Sequence, residues 1–237
     1  MPRTAAARRR RHRRRGPYHH GELRQALLAA AEAELAAHGV EGFTLRGCAK
    51  RAGVSHAAPA HHFEDAGALL TALAAVGFAR FAAAMDTRRA AAAPEPHAEL
   101  IAIGLGYIDF ALAHPTLFRL MFASDRPDPD DPALAAQAEH SYQILVDALA
   151  RVRRSDPRAD RTGAIDLAAA WAIVHGIAHL LLTGRARFLG EIGPVEREQA
   201  LAAIIARVLP AVAATPESSL ASAGALLDNA GSRESDA

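Results

Sequence analysis

TLRGCAKRAGVSHAAPAHHF (Thr44–Phe63) is the stretch whose reading decides the fold of this chain. Thr44 is a good N-cap for a short helix that ends at about Ala52. Gly53-Val54-Ser55 follows as a tight turn, and Ser55 can cap a second short helix from about His56 to His62. A helix-turn-helix needs a small residue in its first helix, a sharp turn, and an apolar residue that locks the second helix. Ala49, Gly53 and Val54 supply these in order.

Upstream, Gly21 to Ala37 reads as a helix with Leu23, Leu27, Ala31 and Leu35 on one i,i+4 row, stopped by His38-Gly39. Downstream, Glu64-Asp65 opens a longer helix to about Arg89, and Pro94 and Pro96 mark the next break. His97–Ala113 resumes the pattern, His114-Pro115 breaks it, and Thr116–Phe122 is short and amphipathic. After a polar, proline-rich loop at 125–132, Ala138, Tyr142, Leu145, Leu149 and Val152 form an apolar stripe. Arg161–Thr183 is apolar on nearly every face, and Pro194–Val212 is a last amphipathic helix. No stretch alternates as a strand. The expected fold is all-α with about nine helices, divided into an arginine-rich arm at 1–17, a helix-turn-helix domain at 18–64, a helical domain at 65–213 and a polar tail at 214–237.

The formal net charge of +1 conceals an asymmetry: residues 1–63 hold 12 Arg and Lys against 4 Asp and Glu, and the rest holds 15 against 22. A basic front on an acidic body points to a polyanion partner for the front and a separate task for the body. A single cysteine, Cys48, leaves no intramolecular disulfide and fits a reducing compartment. The consecutive arginines at the start lack a following apolar segment, so a secretion signal is not expected. The most apolar stretch, Ala164–Leu182, contains Asp166, His175 and His179, which argues against a membrane span. The expected location is the cytoplasm, on the nucleoid.

Taken together, T-L-R, A-x-x-A-G-V-S and H-H-F followed by a helix restart resemble the DNA-binding domain of the TetR (tetracycline-repressor-like) family over Gly21 to Leu70. The resemblance implies that Thr44 and Arg46 meet the DNA backbone or a nearby base edge. It places Ser55, His56, Ala57, Ala58, His61 and His62 at the major groove of a near-palindromic double-stranded operator. Capping and packing are the alternative roles for Thr44, Ser55 and Phe63. The chain departs from the family where an aromatic usually precedes the H-F pair (Ala60), where a lysine usually opens the next helix (Glu64–Gly67), and in carrying Pro59. Arg8, Arg9, Arg10, Arg11, Arg13, Arg14 and Arg15 offer a compensating grip on phosphates or an adjacent minor groove, a solvated tail being the alternative.

In the body, Trp171-Ala-Ile-Val-His175-Gly176 resembles the W-x-x-x-H-G signature of one C-terminal domain type in that family. The resemblance implies a small-molecule effector and a homodimer formed through the helices at 161–183 and 194–212. Trp171, His175 and His179 stack at spacing four along one face, either lining a ligand cavity or packing a core. Tyr107, Phe110, Phe118, Met121 and Tyr142 are further cavity candidates with the same alternative. No cofactor, metal or catalytic residue is expected. The rival readings are a metal sensor or enzyme using His175 and His179, and a nonspecific DNA-compacting protein that works through the arm alone.

Overall fold

The computed structural model describes residues 20–213, with side chains described over 22–207, so the arm at 1–17 and the tail at 214–237 lie outside the described residues. Among the described residues every regular element is helical. The first is α1 (His20–His38), with Leu27, Ala31 and Leu35 buried and Leu23 half-buried, so the i,i+4 row is its packed face. Next, α2 (Leu45–Ala52) begins where the Thr44 hydroxyl accepts from the Gly47 N–H at 3.0 Å, satisfying a donor the helix leaves free. It stops at Gly53, whose N–H donates to the Lys50 carbonyl and whose φ of +68° turns the chain so that the Val54 N–H reaches the Ala49 carbonyl at 3.0 Å. A side chain in that left-handed conformation costs about 1–2 kcal/mol.

The second helix of the motif is where structure and sequence reading part. His56 to His62 is not an α-helix: a turn passes through His56 and Ala57, and a single 3-10 turn covers Pro59–His61. Pro59 supplies the reason. The Ala58 N–H bonds back to Ser55 O, but the next residue has no N–H with which to continue the ladder. The ring of Pro59 is instead fully buried beneath exposed Ala60 and His61, which fixes the segment as a packed turn.

From there α3 (Ala66–Ala91) starts at Asp65, whose carboxylate accepts from the Ala68 N–H at 2.8 Å. Then come α4 (Pro96–Ala113), α5 (Pro115–Ala123), α6 (Pro132–Arg153), α7 (Arg161–Leu182), α8 (Arg187–Gly190) and α9 (Pro194–Ala213). Four of these begin on proline, where its missing N–H costs nothing, so the same prolines that break the chain also start its helices. Among the described residues there are nine α-helices, the number expected, but with different membership: short α8 takes the place of the absent helix at 56–62.

At the centre, α4 packs on α3, α6, α7 and α9. It lies close to α3 because Gly106 has no side chain: a Cβ there would stand 2.7 Å from the Ala84 carbonyl oxygen. Further along, α3 also touches α1, so one helix spans the head and the body. By length and composition α3 and α7 are each apolar enough to cross a membrane, as is the bent pair α4–α5, although the polar residues of 164–182 had argued otherwise for α7. Half of the apolar window of α3 is buried inside the fold but only a third of that of α7, leaving Ile165 and Leu180 exposed.

Candidate nucleic-acid interface and ligand cavity

The head presents a basic face on which one cation, the exposed Arg51, is already paired. Glu34 of α1 is buried and pairs with Arg51 Nε at 2.5 Å, with His38 Nε2 3.7 Å away. Its carboxylate fills the space beside Gly47, so a side chain at that position would have to displace it. With Arg51 engaged, Arg46 and Lys50 point outward at i,i+4 spacing and share a shallow concavity with Thr44, Gly47 and His56. Lys50 was missed as a site residue, although its spacing from Arg46 was the available signal. Ser55, His56, Ala57 and His61 are exposed beside it, while Ala58 and His62 are half-buried. The Arg24 guanidinium lies 5.4 Å from the Phe63 ring centre and holds the end of this segment on α1. Cys48 is buried under the face; burial first, then the Glu34 charge, pushes its thiol up to about 11, so it is a poor nucleophile. Arg8, Arg9, Arg10, Arg11, Arg13, Arg14 and Arg15 lie outside the described residues.

A cavity of about 490 Å³ opens in the body between α3, α4, α6 and α7. That volume is within the range of small-molecule sites. Of the sequence candidates, Tyr107, Tyr142 and Trp171 line it. Phe110 and Phe118 are buried in the core beside it, half-buried Met121 packs near Gly77, and exposed His179 lies off its wall. His175 stands one layer back, with its Nδ1 2.7 Å from the Tyr107 hydroxyl and its ring among Phe118, Phe122 and Trp171. Burial, then the charge of His179, holds the His175 pKa below its usual value. Burial likewise raises that of Tyr107, so this pair is neutral near pH 7. Among the described residues no third metal-ligating side chain joins His175 and His179.

Other wall residues were not singled out from sequence: Phe78, Phe81 and Met85 from α3, Ile103 from α4, and Phe122 from α5. The stripe on α6 is legible in the sequence, and of its residues Tyr142 was the cavity candidate. Ala138, Ser141, Tyr142 and Leu145 line the cavity, while Ile144 and Ala148 occupy the buried seam. At Gly176, the last residue of the W-x-x-x-H-G stretch, a Cβ would meet nothing within 4 Å inside the chain.

The cavity connects physically to the head. Its wall residue Phe122 sits on α5, which touches α1, and α3 carries Arg80, whose guanidinium grips Glu32 of α1 at 2.7 Å. His114, at the α4–α5 junction, is 3.8 Å from the same carboxylate. Farther along α3, Arg88 pairs with Asp109 of α4 and Glu198 of α9.

Comparison with known proteins agrees with this arrangement. The family model described as bacterial regulatory proteins, tetR family, matches residues 27–73, and the one described as tetracyclin repressor-like, C-terminal domain, matches residues 100–209. No curated protein sequence matches the chain. Among solved structures, one of unknown function from Rhodococcus sp. RHA1 is 34% identical, with a TM-score of 0.67 over 81% of this chain and 98% of that one. A TetR family transcription regulator from Marinobacter aquaeolei VT8 is 19% identical, with a TM-score of 0.61 over 78% of this chain and 94% of that one. A TetR-family transcriptional regulator from Streptomyces coelicolor, also 19% identical, has a TM-score of 0.59 over 81% and 90%; likeness at this identity bears on the fold. With a capped α2 and a glycine turn at one end, an apolar cavity at the other, and both family models in register with them, the chain belongs to the TetR family of bacterial transcriptional regulators.

Proposed function

We propose that the chain is a ligand-responsive repressor, a cytoplasmic homodimer on the nucleoid that leaves a near-palindromic operator when a small molecule fills its cavity. The observation that carries this reading is the apolar cavity walled in part by α3, the helix that also packs against the head. A ligand shifts an equilibrium only by binding one state better than the other. Expansion of the wall at Phe78, Phe81 and Phe122 moves α3 and α5, and both bear on α1. In the dimer that movement changes the separation of two heads which must reach successive major grooves.

Dimerisation through 161–183 and 194–212 has support in the exposed Ile165 and Leu180 of α7 and Val195 of α9, which water solvates poorly. At the groove, Arg46 and Lys50 hold phosphates while Ser55, His56, Ala57 and His61 reach base edges from a turn rather than a long helix. Ala58 and His62 flank them, and the arm arginines add phosphate contacts. The test is footprinting of the full chain on DNA upstream of its neighbouring genes, with and without a panel of hydrophobic effectors. Protection of paired half-sites, lost with one effector class, supports the reading. Uniform coverage without a footprint favours the DNA-compacting alternative.

A further inference from the structure

We propose that the cavity selects organic cations: molecules with an apolar body and one ammonium-type group, the charge held by Glu139 beside the rings of Tyr142 and Trp171. This rests on the reading of the cavity as the effector site and adds the chemistry of what enters it.

The wall carries no Lys, Arg or His, and Glu139 of α6 is its one charged side chain. The other polar groups are already engaged or neutral. Ser141 donates to the Ala138 carbonyl at 2.7 Å, and the Tyr107 hydroxyl is taken up by His175. Glu139, by contrast, enters no ion pair or hydrogen bond among the described residues. It is exposed, and so are Tyr142, one helical turn along the same face, and Trp171, across from them on α7; these three mark the cavity mouth.

A carboxylate at the edge of an apolar hollow acts through a lower effective dielectric than bulk water, so it attracts a cation and repels an anion more strongly than a fully solvated acid would. Trp and Tyr faces add attraction for an ammonium group and none for a carboxylate. An anionic ligand would bury its charge with no counter-charge on the wall, which is costly. The apolar remainder of the ligand meets Phe78, Phe81, Ile103 and Leu145.

The test uses three probes with one alkyl chain and different heads: octyltrimethylammonium, octanol and octanoate. Each is titrated into the full chain below its aggregation limit, near neutral pH and at fixed ionic strength. The readout is emission from Trp171, the only tryptophan. The ammonium probe binds about 10-fold or more tightly than octanoate, and Glu139→Gln brings that ratio to about 3-fold or less. Because Glu139 is exposed, circular dichroism of this variant matches the parent. Octanoate binding as tightly as the ammonium probe, or a ratio that survives Glu139→Gln, overturns the proposal while leaving the cavity as a ligand site. Binding by none of the three removes the effector-site reading and the proposal with it.

Discussion

Replacing Gly106 by alanine tests whether the α3–α4 contact, which joins the head-spanning helix to the cavity wall, is set by a missing side chain. The new Cβ would stand 2.7 Å from the Ala84 carbonyl oxygen and 2.8 Å from Met85 Cα, where ordinary contact begins at 3.4 Å. The helices must therefore separate by about 0.7 Å, since neither obstacle is a side chain that can rotate away. Overpacking of a tight core costs about 1–3 kcal/mol, and backbone obstacles put this case near the top of that range. Alanine returns about 1 kcal/mol through its better helix propensity. The net loss is about 2 kcal/mol, which lowers the melting midpoint of a chain this long by about 4–8 °C. Thermal unfolding followed by far-UV circular dichroism at matched protein concentration reads it directly. A Gly106→Ala protein that melts at or above the parent midpoint refutes the argument, because helix propensity would then outweigh the supposed close approach.

Three further outcomes follow from the same geometry. Gly53→Ala forces a side chain into the left-handed turn after α2 and lowers stability by about 1–2 kcal/mol; a raised midpoint in thermal unfolding would show that the turn tolerates a Cβ. His175 has a pKa held down in the fold by burial and then by His179, so the unfolded chain takes up its proton first as pH falls. Stability therefore declines as pH drops below about 6.5, and His175→Gln, measured by urea unfolding at several pH values, flattens that decline; identical slopes would contradict the assignment. Deleting residues 2–15 flattens the dependence of DNA affinity on salt by about 0.9 logarithmic units for each phosphate released, with sequence preference kept. An unchanged slope in fluorescence-anisotropy titrations would remove the arm from the interface.

Where local chemistry decides, the sequence was a sufficient guide. Thr44 and Asp65 cap helices because their side chains reach N–H groups three residues on, and prolines at 96, 115, 132 and 194 sit where helices begin. Pro59 was visible too, and its consequence was underestimated: buried, without an N–H, it replaces the second motif helix by a turn. The cavity was legible only in part. Tyr142 and Trp171 lie on readable stripes, but a stripe does not say whether it faces a partner helix or an empty space. That depends on where α3, α4 and α6 stand relative to one another, which close approaches such as the one at Gly106 decide. Likewise Glu139 drew no notice, because an acid on a helix surface has meaning only once the apolar mouth beside it is known.

The most direct test of the whole account is selection of DNA fragments by the full chain from its own genome at physiological salt, followed by sequencing of what is retained. The account predicts a shared near-palindromic motif whose half-sites stand about one helical turn apart, as two heads on one dimer require. Retained fragments with no common motif would contradict it and leave only charge-driven binding.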